Sequence, residues 1–218
     1  DEIIGEDALE FLHMCGIPVT ASRVAGNETD AVKLAKQTGY PVVMKVVSPD
    51  ALHKTEAGGV IVGVEDDDGV KKHFVRIREN LGVYKKGARF DGVRIEKMAA
   101  EGYDMFIGGK FDQSFGPVIL FGFGGIYVEI FKDVKTCLCP ANTFLIRKKV
   151  EALQSHVMLK GARGMGSADI DGYVDAIAKV SSILAEFPEI KELDINPLRL
   201  YKDGSGVCAL DARMVIKK

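Results

Sequence analysis

Apolar and polar positions along this chain follow two periods, and the places where the period changes mark its elements. Steps of three and four residues join Ala8, Leu9, Phe11, Leu12 and Met14, predicting a helix over 6–15 that Gly16-Ile17-Pro18 stops. The same spacing places Ala31, Leu34, Ala35 and Thr38 on one face of a second helix, capped by Asn27 and running to 39. Val70, Phe74, Ile77 and Leu81 predict a third over 69–81, and helices are also expected at 142–159 and 171–187. Strand signals fall at 18–25, 41–47, 60–64, 92–98, 104–111, 117–121, 126–131, 134–138, 192–200 and 206–213. Strands and helices come in groups, and short turns join many neighbouring strands. The expected class is therefore α+β with mainly antiparallel sheets.

Composition narrows the function classes. The 218 residues are 47% hydrophobic, enough for a substantial core in one large domain or two joined lobes. Twenty-nine basic residues against 31 acidic ones leave a net charge of -2, so no global field favours nucleic acid or an anionic membrane, and any anion site must be local. Cys15, Cys137, Cys139 and Cys208 show neither a disulfide framework nor metal-finger spacing, which fits a reducing cytoplasm. No apolar stretch approaches the ~20 residues that span a bilayer, and Asp1-Glu2-Ile3-Ile4 is not a basic region followed by an apolar one, so an unexported protein is expected.

Candidate chemistry gathers at two places. In the C-terminal hairpin, a turn centred on Asp203/Gly204 makes facing residues sum to 407, setting Asn196 opposite Asp211 and Asp194 opposite Arg213. Those four share a face, with Leu193, Ile195, Leu210 and Ala212 on the other. A carboxylate and an amide oxygen at cross-strand positions suit Mg²⁺, which takes few protein oxygens. The quartet also reads as the solvated face of an amphipathic strand, and its chemistry alone does not decide. Upstream, Lys45 interrupts the run Val42-Val43-Met44-Lys45-Val46-Val47, so its ammonium either snorkels outward or meets a negative partner. The loop that follows holds His53 and the pair Gly58-Gly59, where a glycine backbone lets amides approach phosphate closely. His53 reads as a solvated side chain or, beside phosphate, as a nucleophile that accepts and returns a phosphoryl group. The second glycine cluster, Phe121-Gly122-Phe123-Gly124-Gly125, precedes a strand pattern where a dinucleotide-binding fold would need a helix.

Taken in order, "YPVVMKVVSPDALHKTEAGGV", "RIEKMAAEGYDMFIGG", "FGPVILFGFGGIYVEIFKDV", "LKGARG" and "ELDINPL…ALDAR" resemble the ATP-grasp part of NDP-forming acyl-CoA synthetases, also called ADP-forming acetyl-CoA synthetases. The likeness spans about residues 5 to 215; the succinyl-CoA synthetase β subunit is a more distant relative through its "INP" strand. The resemblance implies an ATP-grasp fold of two α+β lobes, the smaller about 21–98 and the larger about 99–218 with the N-terminal helix, holding ATP or ADP between them. Lys45 would contact the phosphates and Gly58 and Gly59 would close over them. Glu96 and Met98 would border the adenine, Asp104 would face the ribose, and Asn196 and Asp211 would hold Mg²⁺. His53 would carry phosphate to and from a phosphohistidine on a separate CoA-binding domain or α subunit. This chain departs from the family where Lys135-Thr136-Cys137-Leu138-Cys139-Pro140 replaces a segment that usually holds arginine, and where Asp104 replaces a glutamate. A nucleotide-sensing regulatory domain of a larger acyltransferase is the alternative expectation; a carboxylate–amine ligase fits the fold but not the His53 loop.

Overall fold

Four of the described helices start where the side chain of Asn27, Asp66, Asn142 or Asp169 takes an otherwise unpaired amide. In the computed structural model, which describes residues 2–4, 6–51, 53–124, 133–161 and 166–217, the chain opens with β1 (Glu2–Ile4) and α1 (Glu6–Met14). It divides into two compact units, Thr20–Ala99 and the remainder, Asp1–Val19 with Ala100–Lys218. Among the described residues no helix is long and apolar enough to cross a membrane.

The smaller unit is a four-stranded antiparallel sheet, β2 (Ser22–Ala25), β3 (Val42–Val47), β4 (Val60–Val64) and β5 (Gly92–Lys97), ordered β2-β5-β3-β4. Two helices cover one of its faces. Asn27 caps α2 (Glu28–Thr38) by accepting from the Asp30 amide at 2.9 Å, and Asp66 caps α3 (Asp67–Tyr84) by accepting from Gly69 at 2.7 Å. Val42, Met44, Val46, Val93 and Ile95 alternate inward from the sheet against Ala31 and Ala35 of α2 and Val70, Phe74, Ile77 and Leu81 of α3. Alternation then turns Lys45, Arg94 and Glu96 to the opposite face.

The larger unit carries a seven-stranded antiparallel sheet. Its main path places β1, then β11 (Ala212–Ile216), β9 (Ile190–Leu200), β6 (Tyr103–Asp112), β7 (Gly116–Phe123) and β8 (Val134–Leu138), with β10 (Val207–Ala209) also paired to β9. Helices α1, α4 (Thr143–Glu151), α5 (His156–Leu159) and α6 (Ile170–Glu186) bury their apolar stripes in one core with Met105, Ile107, Ile119, Phe121, Leu193 and Ile195 of the sheet. The fully buried Tyr173 of α6 donates its hydroxyl to Phe106 O at 2.9 Å, tying that helix to the sheet.

Several expected boundaries move. The helix expected over 142–159 is broken into α4 and α5, because the buried Asp133 carboxylate accepts the amides of Gln154 (2.9 Å) and Ser155 (2.7 Å) and draws them out of a helical ladder. The strand expected over 18–25 begins only at Ser22, and Val19 instead bridges Ala209 in the larger unit. The strand expected over 206–213 divides into β10 and β11 around Leu210 and Asp211, and it extends to Ile216 by pairing with β1, which is too short to show a period in sequence. The strand expected at 126–131 lies outside the described residues.

Candidate functional site

The nine candidate residues divide between the units. Lys45, His53, Gly58, Gly59, Glu96 and Met98 belong to the smaller one, and Asp104, Asn196 and Asp211 to the larger.

In the smaller unit β3 and β5 pair so that Lys45 lies directly opposite Arg94, with Glu96 two residues along the same face. All three are buried, at 8%, 1% and 2% exposure, although burial of an isolated charge is costly. They meet that cost together. Lys45 Nζ lies 2.8 Å from one Glu96 carboxylate oxygen and Arg94 Nε 2.5 Å from the other, the second a charge contact outside hydrogen-bond angles. The sequence left Lys45 a choice between snorkelling and a negative partner, and the fold provides the partner. It also commits the Glu96 carboxylate to these two cations, so any contact of this position with a base falls to its backbone. Met98 follows the strand and is 42% exposed.

The loop after β3 is tightly wound. Ala57, Gly58 and Gly59 donate their amides to the carbonyls of His53 (3.0 Å), Thr55 (3.0 Å) and Lys54 (2.8 Å). Gly58 has φ +60°, and its carbonyl accepts from Asn80 Nδ2 of α3 at 2.8 Å. At Gly59 an added Cβ would lie 2.4 Å from Val46 Cγ1. The visible duty of both glycines is thus to shape the turn and pack it on the sheet; in this arrangement their amides serve the loop's own carbonyls. Asp50 anchors the start of the loop through Lys85 Nζ and the Arg89 amide (2.8 Å), and the Lys85 hydrogen bond is the main reason its carboxyl is held below its usual value. His53 is exposed at the loop's surface.

In the larger unit, the hairpin register follows the sum of 407 from Val207 to Val215, shifting by one only at Ile216: Arg213 faces Asp194, Ala212 faces Ile195, and Cys208 faces Arg199. The Asn196 amide donates to Asp211 O at 3.2 Å, setting those two residues side by side. Leu193, Ile195 and Ala212 enter the core, while Asp194, Asn196, Asp211 and Arg213 are half-buried on the other face. Met105 faces Leu198 while Ile107 faces Ile195, so Asn196 and Pro197 together oppose Phe106 in a β-bulge. The bulge turns Leu198 and Leu200 back into the core and keeps Arg199 outward. There Arg199 Nε meets Asp104 Oδ1 at 2.6 Å, while Arg199 Nη1 donates to Ala100 O at 2.6 Å. Asp104, Asn196 and Asp211 thereby share the sheet face turned away from the helices.

Among the described residues no group of three or more His, Cys, Asp or Glu side chains is arranged to hold a metal. The hard-oxygen pair at 196 and 211 nevertheless fits Mg²⁺, whose octahedron is largely filled by water and phosphate. One Asp211 oxygen accepts from the Ala212 amide at 3.1 Å, which fixes the carboxylate beside the strand. On β8 the buried Cys137 faces the core, whereas the outward Thr136 and Leu138 carry no charge. The cations that sequence reasoning missed are Arg94 and Arg199. Alternation in Val93-Arg94-Ile95-Glu96 does place Arg94 and Glu96 on one face, but their meeting with Lys45 depends on a pairing between strands distant in sequence.

Comparison with known proteins agrees with this architecture. The chain matches the ATP-grasp domain family over residues 2–216. It is 40% identical over 214 residues to the β subunit of acetate–CoA ligase [ADP-forming] I from Pyrococcus furiosus, covering 98% of this chain and 91% of that subunit. It is 41% identical to 4-hydroxybutyrate–CoA ligase [ADP-forming] from Nitrosopumilus maritimus over 97% of this chain but 30% of that longer protein. Among solved structures, the dinucleotide-forming acetyl-coenzyme A synthetase 1 of Ca. Korarchaeum cryptofilum, with coenzyme A and Ca-AMPCP, superposes with a TM-score of 0.94 at 34% identity, covering 99% of this chain and 94% of that one. A complex of the same protein with Mg-AMPPCP, its phosphohistidine segment pointing towards the nucleotide binding site, gives 0.83 at 32% identity, with 98% and 92% covered. The chain belongs to the ATP-grasp family, in the branch that supplies the nucleotide-binding β subunits and domains of ADP-forming acyl-CoA ligases.

Proposed function

We propose that this chain handles the nucleotide in an ADP-forming acyl-CoA synthetase. With a CoA-binding, phosphohistidine-bearing partner it would interconvert acyl-CoA, ADP and phosphate with the carboxylic acid, CoA and ATP. The observation that carries this reading is the match along almost the whole of a separate β subunit. Complexes of a relative with coenzyme A and nucleotide analogues support it.

In this reading each unit supplies part of the machinery. Lys45 of the smaller unit presents an ammonium to the phosphates from a strand whose other face is locked into the core. Asn196 and Asp211 of the larger unit would hold Mg²⁺ by their side-chain oxygens, and the ion would supply neutralisation of phosphate charge. Exposed His53 receives a phosphoryl group from the partner's phosphohistidine and passes it to ADP: one N–P bond breaks as the His53 N–P bond forms, and that bond breaks as the new O–P bond of ATP forms. The absence of a cation on the outward face of β8 favours a second reading, nucleotide sensing without phosphoryl exchange.

The test mixes the purified chain with its partner and Mg·ATP and reads acid-labile phosphate by mass spectrometry. Phosphate on His53, abolished in His53→Asn, is the expected result; full exchange in His53→Asn overturns that role. Tight nucleotide binding with no exchange selects the sensing reading. Lys45→Met is expected to weaken ADP binding by roughly tenfold or more, as loss of a close charge partner does. Asp211→Asn is expected to raise the Mg²⁺ concentration needed for half-maximal exchange.

A further inference from the structure

Asp104 and Arg199 stand directly opposite each other on β6 and β9, and the ion pair between them is lopsided. Arg199 Nε donates to Asp104 Oδ1 at 2.6 Å, whereas Nη2 reaches Oδ2 only at 3.4 Å. Arginine and carboxylate frequently settle into two parallel short bonds. Here the guanidinium also gives Nη1 to Ala100 O at 2.6 Å, and the fork is turned away from that symmetric arrangement. The arginine stem is confined as well: a Cβ on Gly102 would lie 2.6 Å from Arg199 Cδ and 2.3 Å from Leu200 O, so the backbone from 100 to 104 runs close along it. One largely buried side chain thus fixes both the carbonyl at 100 and the carboxylate at 104.

We infer that Arg199 is a positioning residue for the nucleotide ribose: by holding Asp104 through Oδ1 it keeps Oδ2 in a fixed place as the acceptor for a ribose hydroxyl. This rests on the nucleotide-handling reading above. Two features of the geometry favour it over a purely structural ion pair. Each carboxylate oxygen can accept more than one hydrogen bond, and Oδ2, with its long contact, keeps that capacity on a side chain that is 37% exposed. An aspartate free to rotate would also lose that freedom when a ligand binds, whereas one already held meets the hydroxyl without that cost.

A ligand that lacks the hydroxyls separates this role from packing. Binding of ADP and of 2′,3′-dideoxy-ADP is measured by calorimetry on the whole chain, with circular dichroism confirming that each variant folds. The wild type is expected to bind ADP roughly tenfold or more tightly than the dideoxy nucleotide, as a hydrogen bond to a charged group implies. Arg199→Met keeps most of the stem and removes the donors. It is expected to weaken ADP binding while leaving the dideoxy Kd within about twofold, so that the ratio of the two falls toward one. Arg199→Lys should give an intermediate ratio, because a single ammonium cannot reproduce the fork that holds Asp104 and Ala100 O together. In an Asp104→Ala background, adding Arg199→Met should change neither Kd by more than about twofold. The proposal is overturned if Arg199→Met weakens both nucleotides equally, which is the signature of a structural role, or if it weakens neither. Equal affinities in the wild type overturn it too, since the carboxylate then does not engage the ribose. Should Arg199→Met fail to fold, Arg199→Lys decides alone: an intermediate ratio supports the proposal and the wild-type ratio overturns it. A wild-type chain that binds neither nucleotide refutes the underlying reading instead, before any variant is compared.

Discussion

At Gly58 and Gly59 the backbone, not a ligand, already accounts for the residue type. Gly58 sits at φ +60°, where a side chain is strained, and a Cβ there would also come within 2.7 Å of Asn80 Nδ2. At Gly59 the obstruction is the stiff β-branched Val46, whose Cγ1 would lie 2.4 Å away, with Lys54 O at 3.1 Å. Gly59→Ala is therefore expected to destabilise the smaller unit by about 1–3 kcal/mol, as overpacking does. The check is a lower urea midpoint in the absence of any nucleotide; an unchanged midpoint would show that the loop opens freely and that the glycine serves something else. The sequence made the loop legible as a glycine turn beside a lysine strand, because both signals are local. It did not reveal where the amides go, since that depends on three hydrogen bonds within the wound loop and on the packing of α3 beneath it.

Among the elements, the hairpin was readable because a two-residue alternation and a centred turn fix register by arithmetic, and the pairs observed from 207 to 215 obey it. The helix break at 152–155 was not readable. Its apolar spacing continues through the region, and the cause is Asp133, far enough along the chain that no local window contains both. Burial on its own would raise the Asp133 carboxyl, but the hydrogen bonds from the Ser155 and Gln154 segment, with Lys135 nearby, outweigh it and hold the group below its usual value. Asp133→Asn replaces an acceptor facing two amides with a group that is half donor. A loss of about 1–3 kcal/mol is expected from the amide left buried without a partner. Denaturant unfolding measures it, and amide exchange at Gln154 and Ser155 should accelerate in the variant. Protected amides with an unchanged midpoint would mean that the turn is held by its own helices.

The molecule as a whole carries a desolvated imidazole in each unit, the half-buried His73 on α3 and the buried His156 on α5, and this sets how its stability responds to mild acid. Desolvation is the main cause that lowers both, aided at His73 by Lys72 and Arg76 and at His156 by Lys160, with Glu151 opposing. An unfolded histidine takes up its proton near pH 6.5, and these two do so only at lower pH while folded. Below about 6.5 the unfolded chain therefore binds more protons, and stability falls as pH falls; above it both rings are neutral and the contribution is constant. The carboxyls of Asp50, Asp67 and Asp133 are lowered, so they remain ionised across that window, and their loss begins only below about pH 4. The two effects separate on the pH axis. Urea midpoints taken from pH 7.5 to 5 should decline below about 6.5, and His73→Gln together with His156→Gln should flatten that decline without altering the steeper loss below pH 4. A decline that persists in the double variant would assign it to other groups. The fold class was legible because period and grouping survive in the letters, but this response was not: His73 and His156 look like ordinary polar helix positions until the packing around each ring is known.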